Sequence, residues 1–209
     1  MNFNSLLNQV LNVAKEQVGN TVKGKSTADT ITKVGGGAAA LGLLSMFLGR
    51  KGGASLTKLG SLAALGSLAY KAYQSYQQNQ DNTSITEQQF NSVIEENTDV
   101  SQLILQVMIA AAASDGEISA EERQAIMAEA GNDPEVYQWL ENEIKQPITV
   151  SEIASKVGNN QALATQLYLA ARIICADLQR KEIVFLANLA TALNLDDQLV
   201  EQLEKQAGF

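Results

Sequence analysis

The sequence predicts an all-α protein, in which a glycine-rich N-terminal helical segment precedes an acidic C-terminal bundle of about seven helices. Helix-start signals recur in the second half of the chain, and valine and isoleucine never alternate there with polar residues over a strand length. Three of these signals are capping boxes: Ser84 with Glu87, Ser119 with Glu122, and Thr149 with Glu152. At 209 residues the chain is long enough for one domain and an appendage. We therefore expect four segments, 1–33, 34–72, 73–83 and 84–209.

The composition excludes several classes of catalytic site. Histidine is absent and Cys175 is the only cysteine, which removes disulfides, thiolate or imidazole zinc sites and histidine-assisted nucleophiles. Cys175 lies in an apolar helical run, so we expect a packed core thiol. The glycines 35–37 are not followed by the Gly-Lys-Ser/Thr of a phosphate-binding loop. These features predict a protein that is not an enzyme.

The two halves of the chain carry opposite charge. Residues 1–80 hold eight basic and two acidic residues, a net charge of +6, whereas the rest holds seven basic and 21 acidic residues, a net charge of −14. A basic half suits anionic lipid, and an acidic half is unsuited to nucleic acid. We expect membrane lipid, and no nucleic acid, among the partners.

The N-terminal segment begins with an amphipathic helix over residues 3–18, where apolar residues recur at steps of three and four. This pattern predicts a helix that lies at a membrane interface or docks on protein. It lacks the charged start, apolar middle and small-residue site of a cleaved secretory signal.

Small residues form stripes in the next segment. Residues 34–49 carry no charge, and a second apolar stretch over residues 52–70 is interrupted only by Lys58. Glycine or serine recurs here every seven residues, which places these small residues on one face of a helix. The two sets are Gly35, Gly42 and Gly49, and Gly53, Gly60 and Ser67. Glycine costs roughly 1 kcal/mol relative to alanine in a soluble helix, so close packing of membrane helices would explain the stripe. A flexible linker or soluble self-packing remains the alternative.

A hairpin would leave most lysines of this half on one side, which places both termini in the cytoplasm by the positive-inside rule. The polar residues 73–83 are then a connector. Beyond them, helices are predicted at 85–96, 100–114, 120–130, 134–145, 150–157, 161–176 and 180–193, with a short final helix from 197. Gly131 and Gly158 stand where two of these helices should end.

Two helix junctions in the acidic half are alike. An apolar helix ends at Asp115-Gly116 and the chain restarts as a helix near Glu122, and a second apolar helix ends at Asp177 and restarts near Glu182. These junctions resemble those of the TerB-like domain of tellurite-resistance proteins, over roughly residues 85–209. The whole chain is similar to the YebE-type bacterial inner-membrane proteins, which carry this domain behind a glycine-rich segment.

The resemblance implies a compact helical bundle in which acidic residues of the two junctions face each other and bind a divalent cation. The corresponding residues here are Asp115, Glu122, Asp177 and Glu182. The second junction departs from the family pattern, because Leu178-Gln179 stands in place of Asp-Gly.

Clustered carboxylates suit Ca²⁺ or Mg²⁺, which take six or more oxygen ligands. An EF-hand is excluded, because Ala120 and Ile126 occupy the positions that require glycine and glutamate. The alternative is that these acidic residues cap helices and form a solvated patch.

Two hypotheses for function follow. The first is a membrane-anchored binding or adaptor module of the bacterial inner membrane, with a cytoplasmic acidic domain linked to stress or metal response through an unknown protein partner. The second is a structural membrane protein that forms a homo-oligomer through its glycine stripe.

Overall fold

The structure, a computed structural model, describes residues 3, 6, 7, 62–77, 86–88, 90, 98–115, 133–175 and 178–209. Its helices are α1 (Leu62–Gln77), α2 (Thr98–Ala112), α3 (Pro134–Lys145), α4 (Val150–Val157), α5 (Gln161–Ile174), α6 (Arg180–Ala192) and α7 (Asp197–Ala207), and a 3₁₀ turn, Ala113–Asp115, follows α2. No β-strand occurs among these residues. The predicted all-α fold is confirmed for this part of the chain.

Local capping explains where several helices begin. The Oδ1 atom of Asp133 accepts hydrogen bonds from the backbone N–H groups at the start of α3, and Pro134 occupies the first helical position. Thr149 and Glu152 form the predicted capping box of α4. Gly158 ends α4 with a φ of 57°, a left-handed conformation that glycine adopts without strain.

Helix α5 lies at the centre of the bundle. All of its residues from 162 to 174 are buried, and it contacts α1, α2, α6 and α7. A helix that is buried on every side is expected to be apolar all round, and α5 departs from this only at a few polar positions. Cys175, which follows α5, is fully buried, as predicted, and its Sγ lies 4.0 Å from the carbonyl oxygen of Ala111 on α2.

Helix α1 crosses the sequence boundary expected at residues 72 and 73, and it packs against α5 and α7. Its buried face consists of Leu65, Ala69, Ala72 and Tyr73, which recur at helical spacing. The ring centroid of Tyr73 lies 5.4 Å from that of Phe90, within the range of an aromatic pair. Tyr73, the first residue of the expected connector 73–83, is thus part of the hydrophobic core.

Three residues near the N-terminus also join this core. Phe3, Leu6 and Leu7 are helical and buried, at 7%, 7% and 0% exposure. The ring of Phe3 meets the indole of Trp139 on α3 edge to face, with centroids 4.9 Å apart. This end of the predicted amphipathic helix therefore docks on the bundle.

Within the described helices, none is both long and apolar enough to cross a membrane. The predicted stripe glycines, Gly35, Gly42, Gly49, Gly53 and Gly60, lie outside the described residues, so their packing stays a prediction.

Candidate functional site

A groove of about 420 Å³ runs between α6 and α7, and we call it the C-terminal groove. Tyr168 and Leu186 are buried at its base, whereas Leu178 and Ile183 are 39% and 50% exposed at its edge. The residues that line it are Tyr168, Leu178, Ile183, Leu186, Ala187, Ala190, Thr191, Leu195, Asp197, Val200 and Glu204. Most of these side chains are apolar, which is typical of surfaces that bind other molecules.

The groove exists because α6 carries two apolar faces. Its buried face holds Leu186 and Leu189 together with Glu182, whereas Ile183 and Ala187 lie on a neighbouring face that is exposed. A helix that packs by one stripe would show polar residues at those exposed positions. The apolar run 183–187 is too wide for one buried stripe, and this was the signal in the sequence for a second surface.

Leu178 turns the chain just before α6 with a φ of 48°, in the left-handed region. A branched side chain is disfavoured there by roughly 1–2 kcal/mol relative to ordinary backbone, whereas glycine is not. Leu178 follows Asp177 as Gly116 follows Asp115 in the first junction. A leucine therefore occupies a glycine conformation at the edge of the groove, and strained backbone of this kind is often associated with function.

A polar cluster supports the base of the groove. The hydroxyl of Tyr168 and the Nε of Arg172 both donate to Oε1 of Glu204, at 2.9 and 3.1 Å. Arg172 also donates through Nη1 to the carbonyl of Cys175, at 3.0 Å, and its guanidinium lies 3.8 Å from the ring centroid of Phe209. A buried guanidinium is stable only with such partners, so these contacts fix α7 and the C-terminal residue against α5.

The electrostatics of the groove are acidic. Burial raises the pKa of Tyr168 above its ordinary value, and the neighbouring Glu204 carboxylate raises this pKa further, so the hydroxyl stays a neutral donor. Asp197 and Glu204 line the groove and no lysine or arginine is among its described lining residues, but Arg172 beneath the base pairs with Glu204 and offsets its charge. A ligand with both apolar and positively charged groups would match this surface.

The predicted cation ligands are only partly described. The 3₁₀ turn that ends at Asp115 contacts α6, the helix that begins after the second junction. The side chain of Asp115, and all of Glu122 and Asp177, lie outside the described residues. Glu182 is fully buried, and its Oε2 accepts a hydrogen bond from the backbone N–H of Gln179 at 2.9 Å.

This geometry makes Glu182 a cap of its own helix, with one carboxylate oxygen already occupied. The described part of the chain contains no group of three acidic or cysteine side chains arranged to hold a metal ion. Arg180 and Lys181, beside Glu182 in sequence, are exposed and carry positive charge, which disfavours a cation nearby. The described side chains do not fit a metal centre, and the complete four-residue site remains a prediction.

The comparisons with known proteins bear on the chain as a whole. No curated protein and no solved structure matches it. One family matches residues 33–207, which include the whole glycine-rich segment 34–72 and nearly all of the helical bundle. The chain belongs to this family, DUF533, which is described as a protein of unknown function.

Proposed function

We propose that the protein is a non-catalytic, membrane-anchored adaptor of the bacterial inner membrane, and that its cytoplasmic acidic domain binds a helix of a partner protein in the C-terminal groove. The observation that carries this proposal is the apolar edge of the groove, where Leu178 and Ile183 remain exposed. Leu178 retains this position despite a backbone conformation that favours glycine. A site under selection for stability alone would favour glycine there.

The shape and charge of the groove support a helical occupant. A groove between two helices accepts an amphipathic helix through side chains spaced three and four residues apart. Asp197 at its wall favours a helix with lysine or arginine beside its apolar stripe, whereas the charge of Glu204 is offset by Arg172. The occupant is therefore a basic amphipathic helix of a partner protein.

Membrane attachment rests on the sequence and on the family. The glycine-rich segment 34–72 and nearly all of the acidic bundle lie within one family match, residues 33–207, which supports a common role for them. The resemblance to YebE-type proteins, which carry a TerB-like domain, supports a location at the inner membrane. Response to stress or to a divalent cation at Asp115, Glu122, Asp177 and Glu182 belongs to the same resemblance.

A photocrosslinking experiment in cells tests the groove. A benzophenone amino acid replaces Ile183 in the full-length protein, and the matched control carries it at Tyr137, which is 48% exposed on α3 and does not line the groove. We expect an adduct with a second protein from position 183 alone. Leu178→Gly should reduce that adduct without lowering the thermal midpoint, because glycine relieves the strained turn while removing the groove edge.

Equal adducts from both positions, or none from position 183, would contradict the proposal. An adduct in which both partners are this chain would favour the structural, self-associating alternative. Carbonate extraction of the same membranes tests the anchor separately, since an anchored protein stays with the membrane pellet.

A further inference from the structure

The apolar face of the N-terminal segment is buried against the bundle. Phe3, Leu6 and Leu7 form this face, and Phe3 contacts Trp139 on α3. Burying side chains of this size contributes roughly 1.5–3 kcal/mol each relative to exposure. These three side chains are thus held on the bundle in water, and their face would be available to lipid only after it leaves the bundle.

We infer that the face formed by Phe3, Leu6 and Leu7 is a surface for anionic lipid, and that it leaves Trp139 to insert into the membrane. This inference rests on the proposed membrane attachment. It adds that the face formed by Phe3, Leu6 and Leu7 exchanges a protein contact for a lipid contact. One apolar face cannot be buried against α3 and in acyl chains at the same time. Docking on the bundle and insertion into lipid are therefore mutually exclusive.

The net charges of the N-terminal sequence and of α3 favour their separation at an anionic membrane. Residues 1–33 contain four lysines, one aspartate and one glutamate, a net charge of +2. Helix α3 contains three glutamates and one lysine, a net charge of −2. Basic residues near an anionic surface gain about 1 kcal/mol each, whereas the acidic α3 is repelled by the same surface. An anionic membrane therefore attracts the basic N-terminal sequence and repels α3, which Phe3 contacts.

The docked state also leaves a polar group unsatisfied. The indole Nε1 of Trp139 is buried and finds no hydrogen-bond acceptor among the described residues. A buried donor without a partner costs about 1–3 kcal/mol, which partly offsets the apolar contact. Release of the segment exposes the indole to water and removes this cost.

Trp139 is the only tryptophan in the sequence, so its fluorescence reports directly on the contact. The full-length protein is mixed with vesicles of phosphatidylglycerol and phosphatidylethanolamine, or with neutral phosphatidylcholine vesicles. We expect the anionic vesicles to shift the emission of Trp139 to longer wavelength without quenching by brominated lipid, because the ring then faces water.

A second variant moves the probe to the other side of the contact. Phe3→Trp combined with Trp139→Phe places the only tryptophan on the N-terminal segment. On anionic vesicles its emission should shift to shorter wavelength and be quenched by brominated lipid. The matched control, Tyr137→Trp with Trp139→Phe, places tryptophan at an exposed position of α3 and should show neither change.

The outcomes separate the two proposals. If the protein sediments with anionic vesicles while the emission of Trp139 and of tryptophan at position 3 stays unchanged, the segment remains docked. That result overturns the inference and leaves membrane attachment intact. If the protein sediments with neither type of vesicle, membrane attachment is overturned, and lipid insertion of the segment is overturned with it.

Discussion

Helices α4 and α6 begin with the same backbone contact in two different environments. At α4, Oε2 of Glu152 accepts from the backbone N–H of Thr149 at 2.9 Å, and both side chains are exposed. At α6, Oε2 of Glu182 accepts from the backbone N–H of Gln179 at the same distance, but Glu182 is fully buried. The sequence alone predicted the first cap, whereas the resemblance gave Glu182 the role of cation ligand.

Both glutamates have the same local role, which is to accept a hydrogen bond from the N-cap N–H. The buried glutamate also contributes to stability through its packing. In the exposed box the carboxylate serves only the helix end, because water surrounds the rest of the side chain. In the buried box the same carboxylate also fills space between α6 and its neighbours. Burial therefore determines how much stability each cap contributes.

The largest effect should come from Glu182→Ala. The substitution removes the acceptor of the Gln179 N–H and leaves a cavity where a buried side chain was packed. Loss of a cap and of buried methylene groups together is expected to lower the free energy of unfolding by about 2–3 kcal/mol. Urea denaturation followed by circular dichroism measures this loss.

Thr149→Ala is the matched control in the exposed box. It removes the hydroxyl that accepts from the backbone N–H of Glu152 at 3.3 Å, and it should cost about 1 kcal/mol. Both measurements are repeated with excess Mg²⁺ or Ca²⁺ at equal ionic strength. A capping role predicts the same loss with and without the ion, whereas stabilisation of the unsubstituted protein alone would support Glu182 as a cation ligand.

A smaller effect, of opposite sign, is expected from Gln179→Ser. The backbone of residue 179 is extended, with φ of −61° and ψ of 155°, which is the conformation of a helix N-cap. Serine is a better cap than glutamine, because its short hydroxyl reaches the N–H groups of the first turn. We expect thermal stability to rise by about 0.5 kcal/mol, and an unchanged or lower midpoint in calorimetry would contradict this.

The same helices show which features of the fold can be predicted from the sequence. The predicted helices 134–145 and 150–157 agree with α3 and α4, because Asp133, Pro134 and the Thr149 box define their starts. The sequence predicted a helical segment that ends at residue 72, and the continuation of α1 to Gln77 was missed because its core face includes alanines and its last turns are rich in glutamine. In such a composition the buried and exposed positions differ little in hydrophobicity. The burial of α1 also depends on α5 and α7, which are distant in sequence.

The groove was missed for a related reason. The apolar residues 183–187 predicted a core helix, and the packing of α6 against α4, α5 and the 3₁₀ turn determines which of them are buried. Likewise, Glu182 has the same local sequence pattern whether it caps a helix or binds a cation. Contacts between residues that are distant in sequence decide between these roles, and such contacts cannot be predicted from a single sequence.

The smallest effect concerns pH and the exposed cap. Hydrogen bonds from the hydroxyl and the backbone N–H of Thr149 lower the pKa of Glu152 below its ordinary value of 4.5. Ionised Glu152 is therefore favoured in the folded state, and its contribution to stability is present above the unfolded pKa and lost as the pH falls through the folded one. Glu152→Gln lacks this contribution at every pH.

The unfolding midpoints of the unsubstituted protein and of Glu152→Gln should therefore differ near pH 6 and converge as the pH falls below about 4.5. Urea denaturation at constant ionic strength across this range measures the difference directly. Thr149→Val in both backgrounds provides the control, because removing the hydroxyl should weaken the pH dependence by removing the first cause of the lowered pKa. A difference that persists unchanged into acid would mean that Glu152 stabilises α4 through its shape and not through its charge, and the two caps would then differ in burial alone.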